Sequence, residues 1–173
     1  MNMPAQPLFR VTRLVALGLA AHLAFAAVAY AADPPYTQQE DVVFGETDGV
    51  ALVMDIFTPT GPANGLGIVD VASGAWHSDR GKIEDHKRAQ MFDILCGRGY
   101  TVFAVRPGSI SKFAAPEMVR HIKWAVRWVK LHSADYDIDP DRLAMAGASA
   151  GGHLTCLTIM TAEPARPDAR KEL

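Results

Sequence analysis

The sequence predicts an α/β fold: a mostly parallel sheet flanked by helices. Three short apolar runs, at residues 66–72, 101–105 and 143–146, alternate with longer segments that have helical periodicity. Such alternation is typical of βαβ units, in which a helix returns the chain to start the next parallel strand. Cleavage of the N-terminal segment described below would leave residues 32–173, enough chain for one modest domain.

Before these units, residues 42–45 and 52–57 are expected to form two strands. The segment between them, Glu46-Thr47-Asp48-Gly49, is rich in turn-forming residues. We therefore expect an antiparallel hairpin at one edge of the sheet.

Two helices are predicted between the parallel strands, and a third after the last one. Residues 82–96 carry spaced apolar residues and end at glycines, which favours one helix with a glycine stop. A second helix begins near Pro116, and a third covers residues 152–160. In the second helix, tryptophans 124 and 128 are interpreted as packing residues, and one buried stripe has helical spacing: Met118, Ile122, Ala125 and Val129.

Residues 1–31 have the pattern of a secretory signal peptide. Arg10 and Arg13 precede an apolar run of about 15 residues, and Ala29-Tyr30-Ala31 fits a small-x-small cleavage site. The run is shorter than the roughly 20 residues of a membrane-spanning helix, although an uncleaved anchor remains the alternative. We expect a periplasmic or secreted protein with no stable membrane insertion after cleavage.

The bulk composition limits the partners of the chain. The sequence is 49% hydrophobic and 21% charged, with a net charge of −2, so no strong field attracts nucleic acid or acidic membranes. Cys96 and Cys156 fall in apolar helical patterns, and we expect two buried free thiols rather than a disulfide. The sequence leaves the oligomeric state open.

The strongest chemical signal is Gly147-Ala148-Ser149-Ala150-Gly151, a G-x-S-x-G between a predicted strand and a predicted helix. A sharp strand-to-helix turn of this kind presents a serine nucleophile and requires small neighbours. The backbone N–H of Ala150 would then help to bind the oxyanion that forms on attack. The alternative is a glycine-rich turn with an inert serine.

The sequence around this motif resembles the esterase/lipase group of α/β-hydrolases. The resemblance covers most of residues 52–162 and includes Ala72-Ser73-Gly74-Ala75-Trp76-His77 and the approach to the serine from Asp137 to Leu143. It implies that the N–H groups of Ser73 and Gly74 complete the oxyanion hole, with Trp76 beneath the loop. Ala72 and Ser73 stand where the group usually has His and Gly, and positive φ is harder for a serine. Relatives also often carry an Asp-Tyr-Arg-like stretch where this chain has Arg106-Pro107-Gly108-Ser109.

The acid and the base of a catalytic triad are not identified in this chain. In this fold they follow the serine in the order Asp or Glu, then His. His153 lies one helical turn from Ser149 and is interpreted as a helix-packing residue, whereas His77 and His86 are expected to face solvent, with His77 as a less favoured substitute base. The carboxylates after the serine are not placed at the end of a later strand: Glu163, Asp168 and Glu172. We expect the chain to stop before its triad is complete.

Other acidic residues give no metal site from their spacing. Asp137, Asp139 and Asp141 alternate as in a calcium loop, but Arg142 and Ala148 occupy the positions that need glycine and glutamate. We expect these aspartates to cap and solvate the loop. Asp70 is a charge within an apolar strand, and the sequence offers no partner for it.

The function hypothesis is an exported serine hydrolase that acts on small-molecule carboxylic esters through an acyl-enzyme on Ser149, without a cofactor. With the acid and base missing, the chain is expected to be inactive or weakly active. Two alternatives stay open: a serine peptidase of the same fold, and a non-catalytic exported fragment or binding module.

Overall fold

The computed structural model describes residues 33–162, which contain a five-stranded sheet. The expected signal peptide, residues 1–31, and the three late carboxylates lie outside the described residues. The strands are β1 (Tyr36–Thr47), β2 (Val50–Pro59), β3 (Gly67–Val71), β4 (Thr101–Arg106) and β5 (Leu143–Gly147).

The strand order confirms the predicted α/β architecture. The sheet runs β1-β2-β4-β3-β5; β3 is parallel to both β4 and β5, while β1 and β2 are antiparallel to their neighbours. Because β3, β4 and β5 are parallel, their carboxyl ends meet at one edge of the sheet. In open α/β sheets this is the edge where ligands bind.

The predicted hairpin is also confirmed, with strands longer than the sequence indicated. Asp48 and Gly49 form its turn with φ of 51° and 70°, the paired positive values of a type I′ turn. β1 carries two register shifts, next to Asp41 and Phe44. The alternating pattern of β1 is interrupted at these bulges, so the sequence underestimated its length.

Within residues 33–162, four α-helices flank the sheet: α1 (Gly81–Arg88), α2 (Met91–Cys96), α3 (Ala115–Leu131) and α4 (Ala150–Met160). A 3₁₀ turn, Ser133–Tyr136, follows α3. In β3 and β4 the odd-numbered side chains pack toward α3 and α4, and the even-numbered ones toward α1 and α2.

The prediction of one helix over residues 82–96 is wrong, because the chain breaks between α1 and α2. Gln90 adopts a left-handed conformation with φ 56°. The break changes the buried face: Ile83 is buried in α1 and Phe92 in α2, whereas Ile94, which the sequence placed on the apolar stripe, is 50% exposed. Phe92 stacks on Phe57 of β2, with ring centroids 3.7 Å apart.

The second helix is confirmed as α3, with its proline in the first turn. All four residues of the predicted stripe, Met118, Ile122, Ala125 and Val129, are fully buried. Both tryptophans of this helix pack against the core cluster on the same face of the sheet, as predicted.

Both cysteines are free, as predicted, but only Cys96 is buried. Its burial raises the pKa of the thiol to about 12, which makes it unreactive at neutral pH. The prediction that Cys156 is buried is wrong, because this residue lies on an exposed face of α4.

Candidate active site

Ser149 lies at a sharp turn between β5 and α4, as the G-x-S-x-G motif predicts. Its backbone has φ 55° and ψ −123°, a conformation that is strained for any residue other than glycine. The side chain is exposed at the carboxyl edge of the sheet. Ala150 follows as the first residue of α4, so its N–H has no partner within the helix and is available to an anion.

Two glycines around Ser149 are required by close backbone approaches. A Cβ on Gly147 would lie 2.6 Å from the carbonyl group of Gly151, and a Cβ on Gly151 would lie 2.1 Å from the carbonyl oxygen of Val71. The start of α4 therefore rests directly on the end of β3. Small residues in the motif fix this contact as well as the turn itself.

The loop after β3 lies against this turn. The Gly151 N–H donates to the carbonyl oxygen of Ser73 at 3.0 Å. A backbone hydrogen bond thus joins the serine turn to residues 72–80, which we call the β3–α1 loop. Within this loop the Ser73 N–H donates to the Val71 carbonyl at 3.0 Å.

The backbone strain in the β3–α1 loop is not where the sequence suggested. Ser73 does not have positive φ; Ala75 and Trp76 do, at 47° and 60°. Ser73 is fully buried, and its hydroxyl donates to the His77 carbonyl at 3.2 Å. The serine in place of glycine is therefore accommodated without an unfavourable φ.

Three hydrogen bonds hold the strained part of the loop. The His77 N–H donates to the Gly74 carbonyl, and the Ile110 N–H donates to the Trp76 carbonyl, both at 2.8 Å. The third joins side chains: the Trp76 indole Nε1–H donates to Nδ1 of His153 at 3.3 Å. The interpretation of His153 as a helix-packing residue is wrong, because it is exposed and reaches across to the loop.

The end of the loop is held by a charge cluster that the sequence analysis missed. Nη1 of Arg80 lies 2.5 Å from Oδ2 of Asp55, which is fully buried in β2. Asp55 also accepts from the Gln38 side chain at 2.7 Å, and Arg106 contacts Asp41 and lies 3.7 Å from Asp55. The sequence carried one sign of this cluster, because Asp55, like Asp70, is an aspartate within an apolar strand.

Asp70 has a partner in the structure, His86 on α1. Oδ2 of Asp70 and Nδ1 of His86 are 2.7 Å apart, and the two residues are 0% and 5% exposed. The prediction that His86 faces solvent is wrong, because it closes α1 onto β3. Burial raises the pKa of the Asp70 carboxyl, and the hydrogen bond and charge of His86 oppose that rise.

No base or acid is assigned to Ser149. Among residues 33–162 its hydroxyl has no side-chain hydrogen-bond partner. His77 is exposed, as predicted, and its backbone N–H and carbonyl form hydrogen bonds within the β3–α1 loop. A cavity of about 360 Å³ lies at the same edge of the sheet; its lining includes Ser78 of the loop and Arg106 of β4 but not Ser149.

The described residues also limit other interpretations. Between residues 33 and 162, no three His, Cys, Asp or Glu side chains cluster as a metal site would require. Asp139 accepts from the Asp141 N–H at 2.9 Å, which is the capping role predicted for this loop. No helix in the same stretch has the length and apolar character needed to cross a membrane.

The strained serine turn at the carboxyl edge of a sheet ordered β1-β2-β4-β3-β5 defines the chain as an α/β-hydrolase. The chain belongs to the BD-FAE family, whose model matches residues 54–171.

Proteins similar to this chain are named as esterases or ester hydrolases. The chain is 29% identical over 133 residues to the probable carboxylic ester hydrolase LipM of Mycobacterium tuberculosis, covering 73% of this chain and 29% of LipM. It superposes on an inhibited esterase B from Lactobacillus rhamnosis with a TM-score of 0.61 and 18% identity, covering 88% of this chain and 49% of that one. A bacterial heroin esterase gives a TM-score of 0.63 at 20% identity, covering 84% and 45%.

These matches cover most of this chain but a much smaller share of each relative. The chain spans less than a third of the length of the curated relatives that it matches and about half of each of the two solved chains named above. The structural likeness therefore supports the fold.

Proposed function

We propose that this protein hydrolyses carboxylic esters through a covalent acyl-enzyme on Ser149. The observation that carries the proposal is the strained, exposed Ser149 between β5 and α4, two residues before Gly151, whose N–H donates to the Ser73 carbonyl of the β3–α1 loop. Curated relatives of this chain carry the names of esterases or ester hydrolases, which favours an ester over an amide substrate.

In the first step, the Ser149 oxygen attacks the ester carbonyl carbon and its proton passes to a base. The tetrahedral intermediate carries negative charge on the former carbonyl oxygen. It collapses with loss of the alcohol, which takes up a proton, and leaves an acyl group on Ser149. Water then attacks this acyl group by the same route and releases the acid.

The donors proposed for the oxyanion are backbone N–H groups. Ala150 supplies one from the positive end of α4. Gly74 supplies the second from the β3–α1 loop, with Ser73 beside it. The Ser73 N–H already donates to the Val71 carbonyl, so Gly74 is the better candidate of the two.

The substrate proposed is a small-molecule ester, met in the periplasm or outside the cell. The export part of this proposal is supported by the signal pattern of residues 1–31. The chemistry described needs no cofactor, since a serine, an acid–base pair and two N–H donors account for every bond made and broken.

The base is the missing part among the described residues, and this suggests a specific test. We expect residues 1–173 alone to turn over a phenyl ester slowly, because removing the base from a triad costs nearly as much as removing the whole triad. Added imidazole can supply a base, so it should increase the rate of the wild-type chain above that of the Ser149→Ala variant in the same buffer. Equal rates for the two proteins at every imidazole concentration would argue against Ser149 as nucleophile.

A further inference from the structure

The β3–α1 loop contains two consecutive residues in the left-handed region, Ala75 and Trp76. Neither is glycine, and each such residue costs about 1–3 kcal/mol unless its surroundings fix it. The loop also carries the oxyanion donor proposed above. Its conformation therefore depends on contacts made by these two residues.

Trp76 has two contacts that fix it, one through the backbone and one through the side chain. Its carbonyl accepts from the Ile110 N–H at 2.8 Å, which ties it to the segment after β4. Its indole Nε1–H donates to Nδ1 of His153 at 3.3 Å, and the two rings meet edge to face with centroids 5.8 Å apart. The second contact ties the loop to α4.

His153 is well placed to connect the two halves of the site. It lies one turn after Ser149, and its own N–H donates to the Ser149 carbonyl at 3.0 Å. The Trp76 contact thus joins the strained loop to the helix that begins at the serine. The residue pair is 77 positions apart in sequence, so no local pattern reports it.

We infer that His153 is a positioning residue: through its Nδ1 acceptor it holds Trp76, and with it the β3–α1 loop, in the conformation that faces Ser149. This inference rests on the proposed function for its catalytic consequence, though not for the contact itself.

The acceptor chemistry separates this role from simple packing. To accept at Nδ1, the imidazole must be neutral and carry its proton on Nε2. An asparagine side chain can place its amide oxygen where Nδ1 lies, whereas a leucine fills similar space with no acceptor. Because both Trp76 and His153 are partly exposed, loss of the hydrogen bond leaves no buried orphan group that would unfold the protein.

The first measurement is the indole N–H signal of Trp76 in ¹H–¹⁵N spectra of the full chain, assigned with a Trp76→Phe variant. In His153→Leu we expect this signal to shift and its hydrogen exchange to speed up by roughly two- to tenfold, the size of a modest hydrogen bond. In His153→Asn the shift and the protection should largely return. The amide signals of the strained segment, residues 74–77, should follow the indole in both variants.

The second measurement is the rate at which a fluorophosphonate tags Ser149 in the same proteins. We expect His153→Leu to lower this rate by roughly two- to tenfold at unchanged thermal stability, because the loop presents its donor less often. His153→Asn should recover it. A Leu131→Ala change, at an exposed site on α3, serves as a matched surface control that should alter neither readout.

The outcomes are distinct. An indole signal that is the same in wild type and His153→Leu would overturn the positioning role. If the Trp76 indole signal and the amide signals of residues 74–77 change in His153→Leu while the tagging rate does not, the link between His153 and the oxyanion site would be overturned. Failure of the wild-type protein to be tagged at all would count against the proposed function, while the indole signals would still decide whether His153 holds the loop.

Discussion

A single methyl group added at Gly151 should disrupt the candidate active site more than the same change one residue later. In Gly151→Ala, the new Cβ would lie 2.1 Å from the Val71 carbonyl oxygen, which is 0.9 Å less than the 3.0 Å that real Cβ contacts respect. β3 is hydrogen-bonded on both sides, by β4 and β5, so the strand cannot move away alone.

The size of the effect follows from this geometry. Overpacking in a well-packed interior costs typically 1–3 kcal/mol and occasionally more, and a rigid backbone partner places Gly151→Ala at about 3 kcal/mol. Alanine in a helix returns at most about 1 kcal/mol relative to glycine. We therefore expect a net loss of about 2 kcal/mol in the free energy of unfolding, together with loss of the Gly151–Ser73 hydrogen bond.

Gly152→Ala is the matched control, because it makes the same change in the same helical turn. Its Cβ would lie 3.1 Å from the Gly147 carbonyl oxygen, a contact that a few tenths of an ångström relieve. Urea unfolding of both variants, followed by circular dichroism, measures the difference. If Gly151→Ala proved as stable as Gly152→Ala, the direct contact between α4 and β3 would be refuted.

Three further expectations concern other parts of the chain. Burial raises the pKa of the Asp70 carboxyl, so wild type loses stability as pH rises above the ordinary Asp range, where the unfolded chain releases this proton more readily than the folded protein. Asp70→Asn has no such proton to release and should gain stability relative to wild type over that rise in urea unfolding, whereas a difference that does not change with pH would contradict the raised pKa of this buried carboxyl. A thiol reagent at neutral pH should modify one cysteine, Cys156, in the native protein and reach Cys96 only after unfolding; two fast thiols would be contrary to the fold. Intact mass of exported protein should correspond to an N-terminus at or near Ala32, whereas Met1 recovered with membranes would support an anchor.

The sequence predicted those features that depend on local pattern. The G-x-S-x-G motif predicted the turn at Ser149 because small residues are required wherever a helix start touches a strand end. The stripe from Met118 to Val129 predicted α3 because helical spacing and burial coincide there. Strand order could be expected only through the resemblance, since pairing between distant strands leaves little trace in any one segment.

Other features depend on contacts between distant residues, and the sequence analysis missed them. The break at Gln90 accompanies the stacking of Phe92 on Phe57, a contact with another element that a helical pattern cannot report. His86 and His153 were assigned to the wrong environments because their partners, Asp70 and Trp76, are on other elements. A buried aspartate in an apolar strand was the available signal, and it indicates that a partner must exist without saying which.

Covalent tagging shows whether Ser149 is the nucleophile that we propose for ester hydrolysis. The full chain is treated with a fluorophosphonate, and the adduct is located by mass spectrometry of the intact protein and its peptides. We expect one adduct, on the peptide that contains Ser149, and none on the Ser149→Ala variant, because the oxyanion donors favour attack at this serine over the other exposed hydroxyls even without an assigned base. An untagged wild-type protein, or an adduct that persists in Ser149→Ala, would show that Ser149 is not the nucleophile.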